Sequence, residues 1–418
     1  MQLLRLTLTD FRSYAALTWR PRGRIAVVFG PNGSGKTNLL EAVSLLVPGR
    51  GLRGARNADL KRHGAANGWA VAARFATAQG ETDIGTGTPP SGSSQVAGPV
   101  PSPVPSPGAG PGPQPTPDPG HRRVFRLDGA APRSQAEIAA RVAAVWLTPQ
   151  MDRLFLEGLS GRRRFLDRLV WALEPGHARE IAAYEAAMGS RNRLLQDGRP
   201  GGGWDPSWLA GLEDEMARHA VAATAARMAL VGQLNAALEG GAVGAFPAAR
   251  IGLVCPIAER LGSQPAVAVE DWLRAGLAAT RTRDAAAGAT ALGAHRTDMA
   301  LADAATGTPA ALASTGEQKA LLIGVILGHA AVIAAARGYA PLLLLDEPAV
   351  HLDPARRAAL FSALATLPAQ TLITGTDGET FLPLADVAEG LQTGGGTLRP
   401  DARFSLSKAA PAPVPPAA

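Results

Sequence analysis

Three short, uninterrupted apolar runs punctuate a chain whose hydrophobic period otherwise changes along its length. Residues 24–29 (Arg24-Ile25-Ala26-Val27-Val28-Phe29), the leucines of Pro341-Leu342-Leu343-Leu344-Leu345, and Gln370-Thr371-Leu372-Ile373-Thr374 each read as a strand. Continuous burial of this kind belongs to the interior strands of a sheet covered on both faces. The first twenty residues differ. Leu4, Leu6 and Leu8 alternate with polar positions, and Leu17 and Trp19 continue a second strand, which predicts a hairpin leading into the run at 24–29. Residues 69–75 and 123–127 predict two further strands.

From about residue 161 to 287 the period turns helical. Arg162-Arg163-Arg164-Phe165-Leu166-Asp167 opens one helix, residues 178–196 predict another, and Asp205-Pro206 begins a long one. In that long helix Trp208, Leu212, Met216, Met228, Leu230 and Leu234 fall on a single stripe. A brief strand, Ile251-Gly252-Leu253-Val254, precedes a helix near Trp272. Sustained heptads are absent, which excludes a long coiled coil. The apolar run at 320–336 approaches the length of a membrane span. It contains His329 and two glycines, however, and predicts a core helix, so no membrane is expected as a partner. Between about 85 and 120 lies a Pro/Gly/Ser tract (Pro89-Pro90, Pro111-Gly112-Pro113) with too few apolar residues to offset its ordering entropy. This tract and the Ala/Pro-rich tail from Ala409 are expected to be disordered.

The run at 24–29 ends in Gly30-Pro31-Asn32-Gly33-Ser34-Gly35-Lys36-Thr37, and Asn38-Leu39-Leu40-Glu41-Ala42-Val43 then opens a helix. A full G-x-x-x-x-G-K-[ST] pattern between strand and helix is a phosphate loop, implying a nucleoside triphosphate such as ATP. Its glycines let backbone N–H groups converge on phosphate, Lys36 can bridge the β- and γ-phosphates, and Thr37 can offer a hydroxyl to Mg²⁺. The four-leucine strand ends in Asp346-Glu347-Pro348, a Walker B pattern. Asp346 would hold Mg²⁺ through water and Glu347 would polarise the attacking water.

Ahead of that strand, Ser314-Thr315-Gly316-Glu317-Gln318-Lys319 forms a capping box before the apolar helix. It also resembles the ABC-type signature motif, which contacts the γ-phosphate held by a second protomer, so the site would be completed only in a homodimer. Asp353-Pro354 predicts an N-cap and first-turn proline in the D-loop position. No histidine stands at the end of residues 370–377, where transporter ATPases place a switch histidine, and His295 and His351 read as loop residues. Lys36 and Ser314 lie 278 residues apart, so an extra domain must fill the interval. The implied fold is α/β: an ABC-type ATPase head, built from a P-loop NTPase sheet with flanking helices and an antiparallel β subdomain, carrying an inserted helical arm. The expected division is residues 1–148 and 291–408 for the head, 149–290 for the arm and 409–418 for the tail.

With 418 residues and 46% hydrophobic content the chain has ample material for a core. The net charge of +6 favours an anionic partner, most simply nucleic acid. A single cysteine, Cys255, and no visible signal segment lead to the expectation of a cytoplasmic protein.

The ordered set of motifs resembles the RecF family. The matching pieces are Asp10-Phe11-Arg12-Ser13-Tyr14, the phosphate loop, Gly51-Leu52-Arg53 before Arg62-His63-Gly64, Thr148-Pro149-Gln150-Met151-Asp152, Arg163-Arg164-Phe165-Leu166-Asp167, Gly293-Ala294-His295-Arg296-Thr297-Asp298, the signature and Walker B. One departure is Gly293-Ala294-His295-Arg296, where the family usually has Gly-Pro-His-Arg; another is the Pro-rich insertion. The resemblance implies a weak ATPase that dimerises on ATP, binds DNA at single-strand/double-strand junctions of gapped DNA, and works with RecO and RecR to load RecA. It also implies that Arg12 and Arg53 flank the nucleotide and that Gln150 is the Q-loop residue sensing Mg²⁺ and the γ-phosphate. For the Arg162–Arg164 cluster, DNA contact and an intramolecular role weigh equally. Two other classes, an ABC transporter ATPase subunit and an SMC-like chromosome-structuring ATPase, are disfavoured respectively by the missing switch histidine with the long insertion and by the short arm.

Overall fold

The computed structural model describes residues 1–88, 123–156, 158–198, 204–244 and 246–406. The alternating N-terminus forms strands β1 (Gln2–Phe11) and β2 (Tyr14–Trp19), and the first continuous run forms β3 (Ile25–Phe29), buried at every position. Helix α1 (Lys36–Ser44) follows the phosphate loop, and then come β4 (Ala70–Thr77), β5 (Gly80–Gly87) and β6 (Val124–Leu127). Five strands, in the order β2-β1-β4-β5-β6, make an antiparallel sheet.

The disordered tract was expected to begin at about Gly85, and this is corrected: Gly85 and Gly87 belong to β5. They pair with Ala72 and Ala70 on one side and with Arg126 and Val124 on the other. A backbone ladder on both edges satisfies the chain without side-chain packing. At Gly87 nothing larger fits, because an added Cβ would stand 2.3 Å from the Trp69 carbonyl oxygen. The rest of the tract, 89–122, and the tail from 407 lie outside the described residues.

After α2 (Gln135–Arg141) and β7 (Ala144–Leu147) the chain turns helical: α3 (Leu159–Leu173), α4 (His177–Asp197) and α5 (Pro206–Glu239). Asp205 caps α5 by accepting from the Ser207 and Trp208 amides, with Pro206 in the first turn. Strand β8 (Ala249–Val254), helices α6 (Pro256–Leu261), α7 (Ala266–Ala279) and α8 (Arg281–Ala287), and β9 (Asp298–Asp303) complete this part, β9 pairing back on β8.

The expected stripe on α5 holds for Met216, Leu230 and Leu234, but Trp208 is 56% exposed. Leu209, one position on, takes the inward place against Leu195 and Ala285. One helix serves two cores: Met216, Ala220 and Val221 pack with Tyr184 and Leu273 of the arm, whereas Leu230, Leu234 and Leu238 join the core of the head. The inward face of α5 also carries Glu213 and Arg227, whose charges are matched by Arg191 and Asp167. A hydropathy pattern cannot reveal this, because pairing rather than polarity decides whether a charge can be buried.

The C-terminal part contributes α9 (Thr315–Arg337), β10 (Leu342–Leu345), α10 (Pro354–Thr366), β11 (Thr371–Gly375), β12 (Ala388–Gly394) and β13 (Thr397–Pro400). The second sheet has the order β13-β12-β3-β11-β10-β7, parallel except for β13. Among the described residues, two helices, α5 and α9, are long and apolar enough to cross a membrane. Residues 318–330 of α9 are all buried within the head, as its reading as a core helix requires. Because β3, β11, β10 and β7 run parallel, their C-terminal ends bring Gly30, Thr374, Asp346 and Thr148 to one edge of the sheet, the edge where open α/β sheets bind ligands.

Candidate nucleotide site

The loop from Gly30 to Thr37 turns on three glycines with φ of +152°, +78° and +105° at Gly30, Gly33 and Gly35. At Gly35, the residue preceding α1, an added Cβ would lie 2.7 Å from Ser13 Oγ, so both conformation and space require glycine. Pro31, Asn32 and Gly33 are exposed at the mouth. Lys36 is buried along its stem, its Nζ donating to the Gly30 and Pro31 carbonyls at 2.8 and 3.1 Å.

Thr37 Oγ1 donates to Asp346 Oδ1 at 3.0 Å, joining the loop to the end of β10. Thr374 Oγ1 donates to the same oxygen at 2.7 Å and accepts from the Glu347 amide at 2.9 Å. These residues suit ATP and Mg²⁺. A hydroxyl and a carboxylate converge as a hard cation would require, Gly33 faces open space, and the buried Ser34 Oγ makes no hydrogen bond among the described residues.

The first hairpin buttresses the loop. The buried Tyr14 hydroxyl donates to the Gly35 carbonyl at 3.0 Å, Asn38 Nδ2 donates to Ser13 Oγ at 3.0 Å, and Thr393 Oγ1 donates to the Ser34 carbonyl at 3.1 Å. Burial pushes the Tyr14 phenol up from its ordinary value. Arg12, in a left-handed turn conformation (φ +51°), makes a two-pronged pair with Glu41 of α1 at 2.8 and 2.9 Å. Arg53 donates to Asn38 Oδ1 at 2.9 Å and approaches Glu41 at 3.4 Å. The two arginines expected beside the nucleotide thus share one buried carboxylate on the loop's helix.

Ser314 caps α9. Its Oγ accepts from the Glu317 amide, and Glu317 Oε2 accepts from the Ser314 amide at 2.9 Å. Asp353 caps α10 by accepting from the Arg356 amide at 2.8 Å. Arg356 lies between the two caps, 3.7 Å from Glu317 and 3.4 Å from Asp353. Gly316 admits no side chain, since its Cβ would meet the His351 carbonyl oxygen at 2.7 Å. Ser314, Thr315, Glu317, Val350, His351 and Asp353 are exposed on this face, and Leu312 beside them is 79% exposed.

Glu347 is itself in the left-handed region, with φ +50°. Its carbonyl accepts from Lys319 Nζ at 3.0 Å, and the same ammonium stands 3.3 Å from Asp152 Oδ2. Burial pushes the Asp152 carboxyl up, against the pull of Lys319. Gln150 is exposed in the short turn Pro149–Arg153 that follows β7, beside the end of β10.

Two of the three clustered arginines are engaged within the chain: Arg162 pairs with both oxygens of Asp298, and Arg163 donates to the His295 carbonyl, while Arg164 is exposed. His295 is held through both ring nitrogens, by the Tyr184 hydroxyl at 2.6 Å and the Thr290 carbonyl at 2.9 Å, and burial lowers its pKa. His351 is an exposed turn residue at φ +67°.

Sequence reasoning did not single out Thr374, Lys319, Asp152, Glu41, Tyr14, Arg356 or Thr393. Lys319, Asp152, Tyr14, Glu41 and Thr374 stood inside recognised segments without a role of their own. Arg356 and Thr393 carry no local signal, since Glu317 and Ser34, which they meet, lie far away in the chain.

The phosphate loop at a parallel-sheet edge, the antiparallel sheet leaning on it and the capped helix returning after a helical insertion define an ABC-type ATPase head. Residues 5–75 match a family model described as an AAA domain. The same fold occurs in the Smc head domain from Pyrococcus furiosus, at a TM-score of 0.50 and 15% identity over 96% of this chain and 95% of that one. The chain belongs to the RecF family of DNA replication and repair proteins. It is 44% identical over 390 residues to the RecF protein of Rhizobium etli strain CFN 42, covering 93% of this chain and 96% of that one. It is 45% identical over 397 residues to that of Mesorhizobium japonicum, covering 95% and 97%. The recombination mediator protein RecF of the RecFOR pathway, solved with ATP, superposes at a TM-score of 0.77 with 20% identity, covering 96% and 97%.

Proposed function

We propose that this chain is an ATP-dependent DNA-binding protein of recombinational repair and replication-fork maintenance, a weak ATPase that uses hydrolysis as a switch. The observation that carries the reading is the meeting of Thr37 and Asp346 at 3.0 Å beneath the Lys36 loop, with Glu347 next in the chain. Backbone groups of residues 30–37, with Asn38, cradle the triphosphate, and Lys36 leaves the Gly30 and Pro31 carbonyls to meet it. Thr37, Asp346 and Gln150 hold Mg²⁺, Glu347 accepts the proton of the attacking water, and Arg12 fixes the loop's helix through Glu41.

Ser314, Gly316, Glu317 and Asp353 lie on one exposed face, which suits contact with the triphosphate bound by a second copy. The helix N-terminus supplies free N–H groups and a favourable dipole there. Two copies closing on two ATP molecules grip gapped DNA at single-strand/double-strand junctions in the cytoplasm. RecO and RecR are the partners through which RecA is loaded.

Light scattering with and without Mg-ATP tests the dimer: the mass should double, and Lys36→Ala or Ser314→Arg should abolish the change. Glu347→Gln should accumulate the ATP-bound dimer. A mass indifferent to Mg-ATP would count decisively against this reading. Fluorescence anisotropy on gapped DNA with ATP, ADP and no nucleotide tests the partner, with binding expected to weaken as salt rises.

A further inference from the structure

Lys319 follows the signature residues on α9 and is 1% exposed. Three segments meet at its ammonium: the helix bearing Ser314 and Gly316, the turn of Glu347 and the turn of Gln150, reached through Asp152. A methionine would fill the same space without burying a charge, so packing alone does not explain a lysine here. The backbone it touches is unusual too. Glu347 has φ +50°, a conformation that a non-glycine residue keeps only when its surroundings hold it. Thr374 holds the Glu347 amide at 2.9 Å and Lys319 holds the carbonyl at 3.0 Å, so the orientation of this residue is set from both sides.

We propose that Lys319 is a positioning residue that couples the two nucleotide sites of the dimer. It ties the signature helix, which faces the partner's triphosphate, to Glu347 and the Gln150 turn, which face the chain's own. This rests on the dimeric reading given above. When α9 seats against the nucleotide of the other copy, Lys319 moves with it. The Glu347 carbonyl and Asp152 are bonded to that ammonium, so the base in one site is aligned only when the other site is filled. Coupling of this kind is reciprocal, and Mg-ATP should therefore drive dimerisation cooperatively.

The test uses the full chain and three variants: Lys319→Met, Asp152→Asn and the pair K319M/D152N. The pair removes both charges together and so avoids stranding Asp152. It should melt close to the parent and still bind Mg-ATP to the monomer, with a Kd raised at most a few-fold by calorimetry. Its ATP-dependent mass, read by light scattering, should show a Hill coefficient reduced from about 2 to about 1. Its kcat should fall roughly tenfold at constant KM. Asp152→Asn alone keeps Lys319 on Glu347 but slackens the Gln150 turn. Its amide oxygen still accepts from the Lys319 ammonium, so the variant loses some stability but folds. It should lower the Hill coefficient, which keeps the question decidable if the pair unfolds. A folded variant with the parent's Hill coefficient and kcat overturns the coupling while leaving the dimer intact. A parent that does not dimerise on Mg-ATP removes both.

Discussion

Thr374 donates to the Asp346 carboxylate at 2.7 Å while Thr37, from the phosphate loop, donates to the same oxygen at 3.0 Å. Two hydroxyls from different segments therefore aim one carboxylate, and Thr374 also receives the Glu347 amide. Thr374→Val keeps the shape and removes both bonds of the Thr374 hydroxyl, leaving Thr37 alone on Asp346. If Asp346 holds Mg²⁺ as proposed, we expect ATP hydrolysis to fall about 10–100-fold, the usual cost of losing an orienting partner around a metal ligand, with Tm lowered by a few degrees. Steady-state turnover and thermal unfolding check both, and parental turnover in the Thr374→Val variant would contradict the role of the hydroxyl.

At Gly316 the neighbouring His351 carbonyl stands 2.7 Å from where a Cβ would be. Gly316→Ala gains up to about 1 kcal/mol of helix propensity but forces α9 and the His351 turn after β10 apart, at an expected cost of about 1–3 kcal/mol. The variant should be destabilised in urea unfolding and should dimerise poorly with Mg-ATP. A gain in stability would show that the turn yields freely.

Glu389 on β12 is 7% exposed and accepts from the Arg22 amide at 3.1 Å. Burial pushes its carboxyl up from 4.5 to about 7. A raised pKa means that the folded protein holds this proton more tightly than the unfolded chain. The contribution to stability is therefore full below about 4.5, declines as pH rises, and is gone above about 7. Glu389→Gln should match the parent near pH 5 and exceed it near pH 8 by up to about 3 kcal/mol. Urea unfolding at the two pH values decides, and parallel curves for the two proteins would refute the shift.

Arg191, wholly buried, donates to Glu213 at 3.0 Å, to Asp284 and Thr290 at 2.9 Å and to the Leu277 carbonyl at 2.8 Å. It fastens α4, α5, α7 and α8 at one point. Arg191→Met leaves two buried carboxylates short of a partner, and we expect a loss of about 3–5 kcal/mol. Chemical denaturation should show it, with the arm the first part to lose protection in hydrogen exchange; a loss below about 1 kcal/mol would mean that Arg281 and Thr280 suffice.

What this chain reveals in its sequence is whatever is written in contiguous residues. The phosphate loop, the leucine strand ending in Asp346-Glu347, the Ser314–Glu317 capping box and the Asp353-Pro354 cap could all be read, because a strand, a turn and a helix start are local choices of backbone. The ordering of these motifs led to the family, which the relatives bear out. The tertiary structure alone decided which distant groups meet: Thr374 with Asp346, Lys319 with Asp152 and Glu347, and Arg12 and Arg53 with Glu41. It also moved Gly85 and Gly87 from a supposed disordered tract into β5, and turned Trp208 outward. In each case the deciding quantity is pairing or space around a residue, set by segments that come together only when parallel strands and crossing helices place them side by side.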